Sequence, residues 1–217
     1  MKDAADAILQ ANQARYLEGL EAPRDALLSR MEDHARRERL PISDPEVASF
    51  LFATARACRP RFLVELGTNI GYGAIVLSRA AGPEAEVLTI ENKEAHATTA
   101  RAYVAEAGLT TRIQVVQGDA IEQLRKIERP IDLLYIDCVK EDYPRYLDIA
   151  LPKLSERGMI IADNVLWKGL VAAETVPESE RVRVAAIREF NTRITSHKNL
   201  RAVILPFGDG VAFAVRV

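Results

Sequence analysis

Phe62-Leu63-Val64-Glu65-Leu66-Gly67-Thr68-Asn69-Ile70-Gly71-Tyr72-Gly73 decides the fold. A short apolar run breaks into glycines, and Ala74–Ala81 then resumes with helical character. A strand that turns through glycines into a helix is the opening unit of an α/β sheet. Glycines at 67, 71 and 73 permit a tight turn and a close approach of backbone to ligand. Their spacing, G-x-x-x-G-x-G, is neither the dinucleotide G-x-G-x-x-G nor a P-loop, because no Gly-Lys-Ser/Thr follows. Glu65, ahead of the first glycine, would repel a pyrophosphate and suits a cationic ligand carrying ammonium and sulfonium groups. A merely tight strand-to-helix turn is the alternative.

The pattern continues outward from that stretch. Val87–Ile90, Ile113–Val116, Ile131–Ile136 and Met159–Ile161 read as further short apolar strands. Helical stretches fill the gaps at about 93–107, 119–127 and 143–154. Apolar strands separated by helices imply a parallel sheet covered on both faces. A helix over about 180–197 follows, then strands at 201–205 and 211–216 joined by Pro206-Phe207-Gly208-Asp209-Gly210, a hairpin signal. The expected fold is α/β: a doubly wound, mostly parallel seven-stranded sheet with an antiparallel C-terminal edge hairpin. On the N-terminal side, residues 3–40 read as a helical arm, with apolar positions at Ile8, Leu9, Tyr16, Leu17, Leu20, Leu27, Leu28 and Met31. Pro23 can start its second helix and Leu40-Pro41 ends it. Ser43-Asp44-Pro45-Glu46 has the form of a capping box before a helix running to about Ala57. One domain is expected over 1–217, an arm at 1–40 and an α/β core at 41–217.

Acids close several strands. Glu91 ends the second, roughly 20 residues past the glycine loop, where it can accept hydrogen bonds from ribose hydroxyls. Gly118-Asp119-Ala120 ends the third and can serve an adenine. Asp137 closes the fourth strand and Asp163-Asn164 the fifth, so three oxygen donors converge at one sheet edge. Such a set suits a hard cation, Mg²⁺, Mn²⁺ or Ca²⁺, and not zinc. Helix and turn capping is the plainer account of the same acids. Lys140, three residues after Asp137, would remove a proton from a hydroxyl if a metal lay beside it, since a nearby cation disfavours a charged lysine; otherwise it is a solvated lysine beside Glu141 and Asp142. Trp167, just past Asp163-Asn164, would stack on a planar substrate or sit in the core. His34, His96 and His197 share no ligand spacing and read as surface residues; Cys58 reads as helix packing and Cys138 as a wall residue.

Composition sets the outer limits. The chain has 217 residues with 29 Lys+Arg against 31 Asp+Glu, a net charge of −2, so no global field draws it to nucleic acid or anionic membrane. Hydrophobic residues make up 48%, enough for a sizeable core, and no apolar run approaches membrane-spanning length. Two cysteines make neither a disulfide framework nor a cysteine zinc site. The opening MKDAADAILQANQ lacks the pattern of a signal peptide, so a cytoplasmic protein is expected. The many apolar positions of the arm suggest a homodimer.

Taken together, VELGTNIGYGA, YIDCVKEDYPRYL, IIADNVLWKGLV and LPFGDGVAF resemble the cation-dependent O-methyltransferases, the Rossmann-like, S-adenosylmethionine-dependent family of catechol and caffeoyl-coenzyme A O-methyltransferases. The resemblance covers about residues 40–217. It implies that Ser43, Glu65, Gly67, Thr68, Gly71, Gly73, Glu91, Asp119, Ala120 and Asp137 bind S-adenosylmethionine. It implies that Asp137, Asp163 and Asn164 hold Mg²⁺ or a similar cation, that Lys140 with Asp137 is catalytic, and that Trp167 meets the substrate. Gly73 stands where the family often has Ser, and Val139 where animal catechol enzymes have Trp. The implied reaction is methyl transfer to a hydroxyl beside a second oxygen on a small catechol-like molecule. The alternative acceptor is 5-hydroxyuridine of tRNA, for which Arg36, Arg37, Arg39, Lys168, Arg181 and Arg183 are the candidate phosphate contacts. Outside the family, a nicotinamide oxidoreductase and a non-enzymatic nucleotide- or RNA-binding module are the rivals.

Overall fold

The computed structural model describes residues 11–20 and 25–217. Ile8, Leu9 and Pro23 lie outside the described residues. Helices are α1 (Ala11–Glu18), α2 (Ala26–Glu38), α3 (Pro45–Cys58), α4 (Tyr72–Ala81), α5 (Glu94–Glu106), α6 (Ala120–Arg125), α7 (Tyr143–Ala150) and α8 (Arg181–Ser196). Strands are β1 (Phe62–Leu66), β2 (Glu86–Glu91), β3 (Ile113–Gln117), β4 (Ile131–Ile136), β5 (Leu154–Ala162), β6 (Leu200–Leu205) and β7 (Val211–Arg216). They form one seven-stranded sheet in the order β3-β2-β1-β4-β5-β7-β6.

The chain divides into two compact units, one over Arg15–Ala120 and one over Ile121–Val217. In the first, β1 pairs in parallel with β2, and β2 with β3. Every residue of β1 is buried, which requires cover on both faces of the strand. Helix α3 packs on α4, placing Leu51 and Ala55 against a helix whose Ile75 and Leu77 are fully buried. Helix α2 starts at an Asp25 cap, whose side chain accepts from the backbone N–H groups of Leu27 and Leu28, and buries Leu27, Leu28, Met31 and Ala35. Asp44, not Ser43, is the N-cap of α3, one residue past the start of the expected capping box. Pro45 occupies the first helical position, where its fixed φ is suited and its missing N–H costs nothing, and this moves the cap one residue on.

In the second unit, β4 pairs in parallel with β5, and β7 lies antiparallel between β5 and β6. The expected C-terminal hairpin is thus present, with β6 outermost. Strand β5 starts at Leu154, earlier than the apolar run predicted, and its register against β4 shifts between Ile131 and Leu133. A side chain at Gly158 would meet the Ile131 carbonyl at 2.9 Å, so the irregular stretch is closed by a glycine. Helix α8 packs on α7 and on the turn Lys140–Asp142, burying Val184, Ile187, Phe190 and Ile194. No described helix is long and apolar enough to cross a membrane.

Candidate active site

The first unit gathers buried polar groups at the carboxyl ends of β1 and β2. Glu65 on β1 faces Thr89 on β2 in register, and both are buried. Thr89 Oγ1 donates to Glu65 Oε2 at 2.5 Å. Thr68 Oγ1 lies 2.5 Å from Thr89 Oγ1, and because the Thr89 proton is committed to Glu65, Thr68 is the donor. The Gly67 and Thr68 N–H groups both donate to the Ile90 carbonyl, which folds the glycine loop back over β2. Gly67 has φ +98° and Gly71 φ +90°, conformations that favour glycine, and a side chain at Gly71 would crowd Ala100 at 3.3 Å. Glu91 is buried; its Oε2 accepts from the Asn69 N–H at 2.8 Å and its Oε1 from the Lys93 N–H at 3.0 Å. Gly73 lies in the buried first turn of α4, and Asp119 stands exposed just before Ala120 opens α6.

Asn69 escaped the sequence reading. It is held at φ +46°, its Nδ2 donates to the Pro41 carbonyl, and its Oδ1 is buried without a hydrogen-bond partner. An orphaned buried acceptor on the residue that donates to Glu91 suits a ligand bearing N–H or ammonium donors. The same contact ties the segment that carries the buried Ser43 to the glycine loop. The signal was present in the sequence: an Asn inside a glycine loop is the side chain that best tolerates a left-handed backbone.

In the second unit, Ile136 on β4 pairs with Ala162 on β5, so the backbones of Asp137 and Asp163 follow on neighbouring strand ends, about 4.8 Å apart by strand spacing. The Asp163 N–H donates to the Ile136 carbonyl at 2.9 Å. Asp163 is 2% exposed, and its Oδ1 accepts from the Asn164 N–H at 2.7 Å. Asn164 itself sits at φ +57°. Lys140 is not a solvated lysine: it is 7% exposed, and its Nζ donates to Asp137 Oδ1 at 2.8 Å and lies 5.3 Å above the Tyr143 ring. The Tyr143 hydroxyl lies 3.2 Å from the Ile136 carbonyl and 3.0 Å from that of Asp163, stapling the two strand ends from beneath. Burial raises the Tyr143 pKa, and it pushes the Cys138 thiol up to about 12, so both stay protonated and Cys138 is no nucleophile.

Trp167 opens a left-handed turn, with φ +42° at Trp167, +56° at Lys168 and +76° at Gly169. The turn is held from several directions. Asp209 Oδ1 accepts from the Lys168 N–H at 2.6 Å, and its carbonyl accepts from the Leu166 N–H at 3.0 Å. The Arg188 guanidinium donates to the carbonyls of Leu170, Val171 and Ala173, and Asn191 Nδ2 to that of Val165. Asp209 and Arg188 also went unseen in the sequence, where the first looked like a mere hairpin residue.

An all-oxygen pair of carboxylates with a neighbouring amide fits a hard cation by donor type. Among the described residues, no group of three or more His, Cys, Asp or Glu stands where it could hold a metal. Three expectations change. Cys58 is exposed, because it ends α3 on the outer side. His34 is half-buried, 2.7 Å from the Tyr103 hydroxyl, and His96 is half-buried 4.0 Å from Glu91, so neither is a plain surface residue. The basic candidates are partly spoken for: Arg36 pairs with Asp33, Arg181 with Glu178, and Arg183 with Glu141 and Glu180.

A glycine loop after β1, an acid closing β2 and this strand order define a Rossmann-like methyltransferase fold. The family described as O-methyltransferase matches residues 27–217, and the chain belongs to it. The chain is 33% identical to a catechol O-methyltransferase of Niastella koreensis over 88% of its own length and 90% of the relative's. It is 37% identical to a catechol O-methyltransferase of Mycobacterium tuberculosis over 66% of its length and 65% of the relative's. The crystal structure of an O-methyltransferase from Bacillus cereus in complex with SAH superposes with a TM-score of 0.84 at 30% identity, covering 95% of this chain and 97% of that one. The protein is an S-adenosylmethionine-dependent O-methyltransferase.

Proposed function

We propose that the enzyme is divalent-cation-dependent and methylates one hydroxyl of a small catechol-like acceptor whose second oxygen is adjacent. The observation that carries this is the pair Asp137 and Asp163, at the neighbouring ends of β4 and β5, with a buried Lys140 on Asp137. Carboxylates on neighbouring strand ends repel unless a cation stands by them, and Lys140 already pairs with Asp137. The relatives named as catechol O-methyltransferases support the acceptor class.

In this reading the first unit serves the cosubstrate. Glu65 and the Asn69 amide oxygen face its ammonium, Gly67, Thr68, Gly71 and Gly73 let backbone come close, and Ser43 closes the same end. Glu91 takes the ribose hydroxyls, and Asp119 with Ala120 lines the adenine. S-adenosylmethionine, when bound, supplies an electrophilic methyl group. In the second unit Asp137, Asp163 and Asn164 would hold Mg²⁺, Mn²⁺ or Ca²⁺, which when bound neutralises and orients two neighbouring acceptor oxygens. Lys140 Nζ, in its neutral amine form, takes the proton of the attacking hydroxyl, Asp137 orients that amine, and Trp167 walls a planar acceptor. A tRNA acceptor has less behind it, since Arg36, Arg181 and Arg183 are already paired with acids.

The test offers tritiated S-adenosylmethionine and Mg²⁺ to the enzyme with a catechol panel beside bulk tRNA from a methylation-deficient host. Label is expected in catechols and should vanish on chelation with EDTA. Label only in tRNA would overturn the acceptor, and chelator-resistant transfer would overturn the cation.

A further inference from the structure

We propose that Arg183 is a positioning residue that sets the aromatic wall against the base-bearing turn and thereby makes the enzyme selective for planar acceptors. This rests on the proposed function, in which Trp167 walls the acceptor and Lys140 is the base.

Arg183 lies in the first turn of α8, and its side chain is about one-third exposed. Its NH1 donates to Glu180 Oε2 at 2.8 Å. The same oxygen accepts from the Trp167 Nε1–H at 2.7 Å, so one carboxylate oxygen fixes both groups. The guanidinium carbon lies 4.8 Å from the Trp167 ring centroid, within cation–π range. The other arm, NH2, reaches Glu141 Oε1 at 3.0 Å. Glu141 follows Lys140 in the short 3₁₀ turn Lys140–Asp142. A single guanidinium thus touches the indole, the indole's anchor and the turn that carries the base.

Ordinary exposed ion pairs contribute little. Arg183 differs in that three contacts converge on one rigid, planar fork, a geometry that a lysine cannot reproduce. Trp167 is also held at a positive φ that a side-chain-bearing residue adopts only when its surroundings impose it. With its N–H fixed and one face against the guanidinium, the indole cannot turn without losing both contacts. A ring held in one plane favours acceptors that stack and gives nothing to those that cannot.

Trp167 is the one tryptophan of the chain, so intrinsic fluorescence reports it directly. The experiment compares the full-length wild type with Arg183→Ala, Arg183→Lys and Glu141→Gln, all at exposed or half-exposed positions. In Arg183→Ala the Trp167 anisotropy should fall, KM for catechol should rise about tenfold while KM for S-adenosylmethionine stays put, and the preference for catechol over a non-planar vicinal diol should shrink. Arg183→Lys should resemble Arg183→Ala more than wild type. Glu141→Gln should lower kcat several-fold and leave anisotropy alone. Unchanged anisotropy and unchanged acceptor preference in Arg183→Ala would overturn the proposal, as would an unaltered kcat in Glu141→Gln. If saturating catechol leaves the wild-type Trp167 emission unmoved, the acceptor-wall reading itself fails and takes this proposal with it. A responsive wild type with an indifferent Arg183→Ala sinks the proposal alone.

Discussion

Lys140 owes its chemistry to where a three-residue turn puts it. Residues 140–142 form a single 3₁₀ turn that tucks the Lys140 side chain inward onto Asp137 and the Tyr143 ring, while Asp142 pairs outward with Arg145. In sequence, Lys-Glu-Asp looks like a solvated charge run, so the lysine was legible only as a candidate. Its burial follows from Tyr143, whose hydroxyl pins the strand ends and whose ring offers the ammonium a surface. Lys140→Met should keep the length and packing of the side chain and remove the amine. Turnover is expected to drop by about 10²–10⁴ with S-adenosylhomocysteine affinity intact, which single-turnover kinetics and calorimetry would check. Wild-type turnover in that variant would remove Lys140 from the reaction. The residues the sequence hid, Asn69, Asp209 and Arg188, share a cause: each bonds a partner at least 15 residues away, and no local spacing announces such a bond.

At the scale of elements, the strands were plain because each is a run of apolar residues bounded by glycine, acid or turn. The start of β5 was not, because Ser155, Glu156 and Arg157 interrupt its apolar pattern and the register slips there. The link between β1 and β2 shows how a parallel pair can hold a charge in its interior. Thr68, Thr89 and Glu65 form a one-way relay in which each hydroxyl has a single proton to give. Thr89→Val preserves shape and deletes the middle donor, leaving the buried Glu65 carboxylate without it. A loss of about 1–3 kcal/mol in folding stability is expected, together with weaker cosubstrate binding. Denaturant unfolding and S-adenosylhomocysteine titration of the variant would measure both. A Thr89→Val enzyme as stable and as tight-binding as wild type would show that Glu65 finds its donors elsewhere.

At the scale of the molecule, the near-neutral balance of charge said little, and the apolar content of the arm said more. Tyr16 and Leu20 remain 67% and 64% exposed, and Leu17 is also uncovered. Large side chains left bare in a row mark a surface that another surface covers. We expect a second copy of the chain to be that cover. Light scattering at micromolar concentration should return twice the 24.0 kDa chain mass, and Tyr16→Asp with Leu20→Asp should halve it. A monomer mass for the unmodified enzyme would refute this.

The position of β7 carries a consequence for how the enzyme is made. It is the latest strand in the chain, yet it lies inside the sheet, with β5 on one side and β6 on the other. A growing polypeptide that has produced everything up to Leu205 has β4 on one edge of β5 and nothing to lay against the other, and β6 has no partner at all. Until residues 211–216 leave the ribosome, the β5 edge that continues into Asp163 stays open to any passing strand. Synthesis of the second unit therefore ends with its keystone, and the acid at the end of β5 is set in place only when translation has passed it by some fifty residues.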